Sequence, residues 1–113
     1  MKSKIIALSK NEEFKFLLKQ NKISNKYVSI FFGKLKNKYN KKINISFVTK
    51  KKLGNAVKRN KIKRRLRNIM NEAVNKISIN YNYSFLVIAK SSMLNNEYKI
   101  MKETLFQDFK KIK

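Results

Sequence analysis

Apolar positions along this chain switch between a helical period and an alternating one. Phe14, Leu17 and Leu18 share one side of a short first helix. Its start carries the Ser-x-x-Glu spacing of a capping box, with Ser9 as N-cap and Glu12 reaching back to it, and its end falls around Gln20-Asn21. From Tyr27 to Phe32 the period drops to two, Val28, Ile30 and Phe32 alternating with Tyr27, Ser29 and Phe31, and Gly33 closes the predicted strand. Lys34 to Lys42 reads as a Lys/Asn-rich hairpin connection, with room for an extra short strand. Ile43 to Val48 alternates again and predicts a second strand. Lys50 to Gly54 is a basic turn, in which Gly54 has the backbone freedom to launch a helix.

Asn55 suits the N-cap of a long helix running to about Lys76. At about 100° per residue, Ile62, Leu66, Ile69, Ala73 and Ile77 form one core-facing stripe. Tyr83 to Ala89, with Phe85, Leu86, Val87 and Ile88 in succession, predicts a strand buried on both faces. Asn95 or Asn96 can cap a last helix to about Lys111, with Ile100, Leu105, Phe106 and Phe109 inward. The order helix, strand, strand, helix, strand, helix predicts one α+β sandwich domain over residues 1–113, without repeats or linkers.

Charge changes this picture more than composition does. Among 113 residues, 42% hydrophobic and sufficient for a core, 29 Lys+Arg stand against 6 Asp+Glu, a formal net charge of +23. Self-repulsion on that scale opposes folding, and a polyanionic partner would neutralise it. Part of the lysine excess is also what an AT-rich genome would write. The chain has no Cys, so disulfides and cysteine-ligated zinc are excluded, and no His, the commonest general base. Its six acids, Glu12, Glu13, Glu72, Glu97, Glu103 and Asp108, are scattered over three predicted helices, unlike the converging carboxylates of a metal-dependent nuclease. The apolar run Ile5-Ile6-Ala7-Leu8 is too short for a signal peptide or a membrane span. These features predict a cytoplasmic protein without bond-breaking chemistry of its own.

Every arginine of the chain, Arg59, Arg64, Arg65 and Arg67, falls in one stretch of the long helix, whereas lysine supplies positive charge everywhere else. A planar guanidinium makes bidentate phosphate and base-edge contacts that lysine makes poorly. Asn60, Arg64, Arg67 and Asn71 are spaced by four, three and four, one row opposite the apolar stripe. Lys58, Arg59 and Lys61 also crowd the positive end of the helix dipole, at a cost of about 0.3–1 kcal/mol each where exposed. A solvated basic face is what most charge runs are. Here the arginine clustering, the row and the local penalties coincide on one helix, which favours an RNA-binding surface. A nuclear-localisation reading is generic, and a membrane-surface helix is disfavoured because the apolar stripe serves the core.

Lys51-Lys52-Leu53-Gly54-Asn55-Ala56-Val57-Lys58-Arg59-Asn60-Lys61-Ile62-Lys63-Arg64-Arg65-Leu66-Arg67 resembles the signature of the protein component of bacterial ribonuclease P. In that signature an Arg-Asn-Arg/Lys core sits in a Lys-Lys-x-Gly-Asn-Ala-Val…Lys-Arg-x-x-Arg frame. Asn11-Glu12-Glu13-Phe14 and Phe85-Leu86-Val87-Ile88-Ala89-Lys90 extend the resemblance over most of the chain. It implies a two-layer α/β sandwich, a mixed four-stranded sheet with three helices and a left-handed β-α-β crossover, related to a ribosomal-protein domain. It implies a non-catalytic subunit that helps a catalytic RNA remove the 5′ leader of precursor tRNA. Magnesium would be held mainly by that RNA, with no organic cofactor, no membrane and no obligate protein partner. Carried over by position, Lys51, Lys52, Arg59, Asn60, Lys61, Lys63, Arg64 and Arg67 would face RNA. A leader cleft would involve Phe14, Leu18, Val28 and Ile30. Leu18 stands where the family has a second aromatic, and Phe14 is open to either core packing or cleft exposure. A structural, ribosomal-type RNA-binding protein is the alternative of a different class.

Overall fold

The computed structural model describes residues 5–8, 11–35, 43–80 and 82–112. The Ser9 cap and most of the Lys34–Lys42 connection lie outside them. The elements are β1 (Ile5–Ile6), α1 (Asn11–Leu18), β2 (Asn21–Ser24), β3 (Val28–Gly33), β4 (Ile43–Val48), α2 (Ala56–Lys76), β5 (Ser84–Ala89) and α3 (Tyr98–Lys111). Short 3-10 turns, Lys51–Leu53 and Ser91–Leu94, precede α2 and α3. The sheet runs β1-β4-β5-β3-β2, parallel from β1 to β5 and antiparallel from β5 to β2. The mixed α+β arrangement with three helices stands, and the two-residue β1 adds a fifth strand at one edge. Helix α1 ends at Leu18, just short of the expected Gln20-Asn21, and β2, which the sequence pattern does not predict, starts at Asn21. Only Ile23 in it turns inward, so it carries little alternation to read.

Parity decides what each strand offers to each face. Val28 and Ile30 of β3, Ile43 and Ile45 of β4, and Phe85, Val87 and Ala89 of β5 are buried in the core shared with α2 and α3. Leu86 points the other way, where it joins Leu17 of α1 and Leu8 in a smaller cluster flanked by Phe14, Phe31, Val48 and Ile88. Sheet and α2/α3 therefore make the expected two layers, and α1 covers part of the opposite face. Phe85 is central: its ring meets Phe109 of α3 edge-on, with centroids 5.4 Å apart, and Tyr83 at 6.5 Å.

Helix α2 buries Ile62, Leu66, Ile69, Met70 and Ala73, the expected stripe with Met70 added, while Ile77 caps its C-terminus. In α3 the inward residues are Met101, Leu105 and Phe109, and Ile100 is 48% exposed, a correction to its expected inward place. The cap of α3 is Glu97, not Asn95 or Asn96. Asn96 instead donates its Nδ2 to the carbonyl of Ser92 at 2.6 Å. The β2–β3 turn is tied by Asn25. Its Oδ1 accepts from the backbone N–H of Tyr27 (2.7 Å) and Val28 (2.9 Å), and its Nδ2 donates to buried Asp108 at 2.7 Å. A buried carboxylate is tolerable only with such partners.

Gly54 turns the chain from the 3-10 segment into α2 at φ 138°, a backbone angle that side chains disfavour, and an added Cβ would lie 2.8 Å from Lys58 Cδ. Asn55 then caps the helix as expected, its Oδ1 accepting from Lys58 N at 3.0 Å. Gly54→Ala is expected to destabilise the fold by about 1–3 kcal/mol through backbone strain. Urea denaturation checks this, and an unchanged midpoint would show that the turn relaxes freely.

Candidate nucleic-acid interface

The first turns of α2 set the interface. The apolar stripe fixes the helix roll against β4 and β5, so the remaining faces have assigned directions. Asn60, Lys61, Lys63, Arg64, Arg67 and Asn71 are all exposed, as are Lys51 and Lys52 of the preceding turn. The row Asn60, Arg64, Arg67, Asn71 therefore points to solvent as its spacing predicts. Between Phe14 and Asn71 no acid interrupts the positive charge.

Arg59 is half-buried, and its Nε is buried without a hydrogen-bond partner. An orphaned guanidinium N–H costs about 1–3 kcal/mol. Arg65, the remaining arginine, is turned to the other flank, where its Nη1 donates to the backbone of the 3-10 turn before α3. On that flank, too, Glu72 pairs with Lys102 of α3 at 3.1 Å. Beside that pair the Tyr98 phenol is raised above its ordinary pKa, first by burial and then by the Glu72 carboxylate, with Lys102 opposing.

Phe14 from α1, Ala7, Ser46 to Thr49 of β4 and its end, and Lys63 and Arg67 from α2 line an open cleft of about 650 Å³. Phe14 combines both readings open to it in the sequence: one side packs on the small Leu17 cluster and the other lines the cleft. The cleft wall from β4 was missed. Both phases of the β4 alternation contribute to it, Ile45 and Phe47 as well as Ser46 and Val48, so the alternation alone does not mark it. Leu8 N donates to Ser46 Oγ at 2.8 Å, fixing the chain before α1 against that wall.

Two of the expected cleft residues are corrected. Val28 and Ile30 are both 0% exposed in the core under α2 and α3, so neither lines the cleft. Their neighbours Ser29 and Phe31 are the β3 residues turned toward the α1 side. Leu18 is 47% exposed on α1 and stands outside the cleft lining. A second cleft, of about 530 Å³, lies at the end of β5, with Ser29, Lys50, Lys52, Lys90 and Ser91 in its wall.

Aromatic, hydroxyl and cationic groups along a half-open cleft suit a single nucleic-acid strand, whose bases stack while its phosphates pair with Lys and Arg. The cleft lining is neutral or cationic, and among the described residues no three acidic side chains converge. Among the described residues no helix is long and apolar enough to cross a membrane.

Comparison with known proteins gives a consistent result. The family profile described as Ribonuclease P matches residues 3–113. A ribonuclease P protein component of Fusobacterium nucleatum is 36% identical over 111 residues, covering 94% of this chain and 96% of that one. Another, of Mycoplasma mycoides, is 31% identical across 100% of both chains. The solved RNase P protein of Staphylococcus aureus is 27% identical, with a TM-score of 0.76 over 94% of this chain and 93% of that one. That of Thermotoga maritima has a TM-score of 0.80 over 96% and 98%, at 23% identity, a likeness of fold.

Proposed function

Because this chain belongs to the ribonuclease P protein family, we propose that it binds the catalytic RNA through α2 and seats the 5′ leader of precursor tRNA in the adjoining cleft. One observation carries this reading: Arg67 belongs both to the exposed basic row and to the cleft wall. A strand in the cleft and an RNA on the helix would thus share one electrostatic surface. Cations there offset repulsion among the RNA, the leader and bound magnesium.

The chain itself supplies no bond-breaking group. It lacks His and Cys, and its acids are dispersed. Hydrolysis is assigned to the RNA and to magnesium held on RNA phosphates, and the protein's part is to position and to neutralise. Function in the cytoplasm, with RNA as the only obligate partner, fits that role.

The test is cleavage of precursor tRNA at low magnesium by the protein alone, the RNA alone, and both. Cleavage at the mature 5′ end only with both present is the expected result. Protein that never assists the RNA would leave a purely structural RNA-binding role. The cleft makes a second prediction. Phe14→Leu removes a ring that lines the cleft and is expected to weaken precursor relative to mature tRNA by about fivefold, near the low end of one stacking contact. Equal losses for both tRNAs would mean that the ring does not meet the leader.

A further inference from the structure

Arg65 sits within the arginine cluster but does not share its outward face. Its Nη1 donates to the carbonyl of Met93 at 3.2 Å and, more weakly, to that of Asn96 at 3.5 Å. Helix α2 is thereby fastened to the 3-10 turn Ser91–Leu94. The same turn is held from below. Ser92 Oγ donates to the carbonyl of Lys26 at 2.5 Å, and Asn96 Nδ2 to that of Ser92 at 2.6 Å. Lys90 is bound twice to the β2–β3 turn, its backbone N–H donating to Tyr27 O at 2.8 Å and its Nζ to Asn25 O at 2.6 Å. Together these bonds fix where Lys90 and Ser91 stand, and both line the second cleft with Ser29, Lys50 and Lys52.

We propose, resting on the RNA-binding reading above, that Arg65 is a positioning residue: a strut that touches no RNA and holds the Lys90–Ser91 rim at a fixed distance from the basic row of α2. A guanidinium suits this task because one donor group spans two carbonyls, whereas an aliphatic side chain leaves both without it. With the rim fixed, the row on α2 and the second cleft engage one RNA substrate in register. Without it, the row still binds but the rim drifts. Arg65 then differs in kind from Arg64, whose guanidinium is exposed and free to meet a phosphate.

The test uses the reconstituted holoenzyme, wild-type RNA with protein carrying Arg65→Met, Arg65→Lys or Asn96→Ala. Arg65→Met is expected to raise KM for precursor tRNA about tenfold, the size of one lost charge-assisted contact, with kcat nearly unchanged. The salt slope of binding to the catalytic RNA is expected to stay at the wild-type value, in contrast to Arg64→Ala. Arg65→Lys, which keeps a donor, recovers part of the KM. Asn96→Ala loosens the turn from the other side without altering charge and repeats the KM effect even if Arg65→Met fails to fold. A flattened salt slope in Arg65→Met would show a phosphate contact and overturn the proposal. So would an unchanged KM in both Arg65→Met and Asn96→Ala. A wild-type chain that fails to assist the RNA at low magnesium would instead overturn the underlying reading.

Discussion

Arg64→Ala combined with Arg67→Ala is expected to weaken binding to the catalytic RNA on the order of a hundredfold near physiological salt, taking each charge-assisted contact at about 1.5 kcal/mol. The salt dependence should flatten too. Two lost phosphate contacts lower the slope of log K against log salt by roughly 1.4–1.8, the range between single-strand and duplex scaling. The fold should not suffer, because both side chains are exposed and alanine is the best helix former. Removing Arg67 also relieves its like-charge i,i+4 pairing with Lys63, a gain of about 0.2–0.5 kcal/mol. Affinity and stability are thus expected to move in opposite directions, which filter binding and thermal melting would measure on the same sample. An unchanged slope would show that this face does not touch phosphates.

The second large effect is expected in the core. Phe85 is fully buried between α3 and the sheet, and Phe85→Ala should cost about 3–5 kcal/mol. A small domain has only about 5–15 kcal/mol to lose, and this one folds against its own positive charge. The variant is therefore expected to be substantially unfolded in low-salt buffer and to refold when the catalytic RNA is added. Ligand at a hundredfold excess over its Kd contributes about 2.7 kcal/mol. Circular dichroism along a urea gradient, with and without RNA, reads both parts. An unfolding free energy within about 1 kcal/mol of wild type would mean that the core collapses around the gap.

Much of this was legible in the sequence because the strongest periodic signals coincide with the largest burial. Helix α2, its Asn55 cap, the Gly54 turn and strands β3, β4 and β5 follow directly from spacing. The failures have a common physical cause: they depend on which neighbour a face meets. Tyr27, Val28, Ile30, Phe31 and Phe32 are all apolar, so the alternation in β3 does not reveal which parity lies under α2 and α3. Val28 and Ile30 fall on the parity buried under α2 and α3, which removes them from the cleft. Ile100 and Met101 are adjacent and equally apolar, and only the seating of α3 against Phe85 and the rest of the core separates them. Asn95 and Asn96 looked like caps because asparagine serves both caps and turns, and here the turn won. Arg65 could not be told from Arg64 by type. Its position on the flank of the helix nearest α3 was readable, but the carbonyls waiting there were not.

Strand β5 is the last strand in the chain and the middle one in the sheet, with β1 and β4 on one side and β3 and β2 on the other. Until Ser84 to Ala89 is available, the earlier strands form two separate pairs with no backbone bond between them. The sheet therefore closes only after α2 has been synthesised, and long-range pairing of this kind is slow to form. On the ribosome, the most basic segment of the chain leaves the exit tunnel before the scaffold that orients it exists. Assembly with RNA and completion of the sheet are thus placed in competition for the same nascent helix.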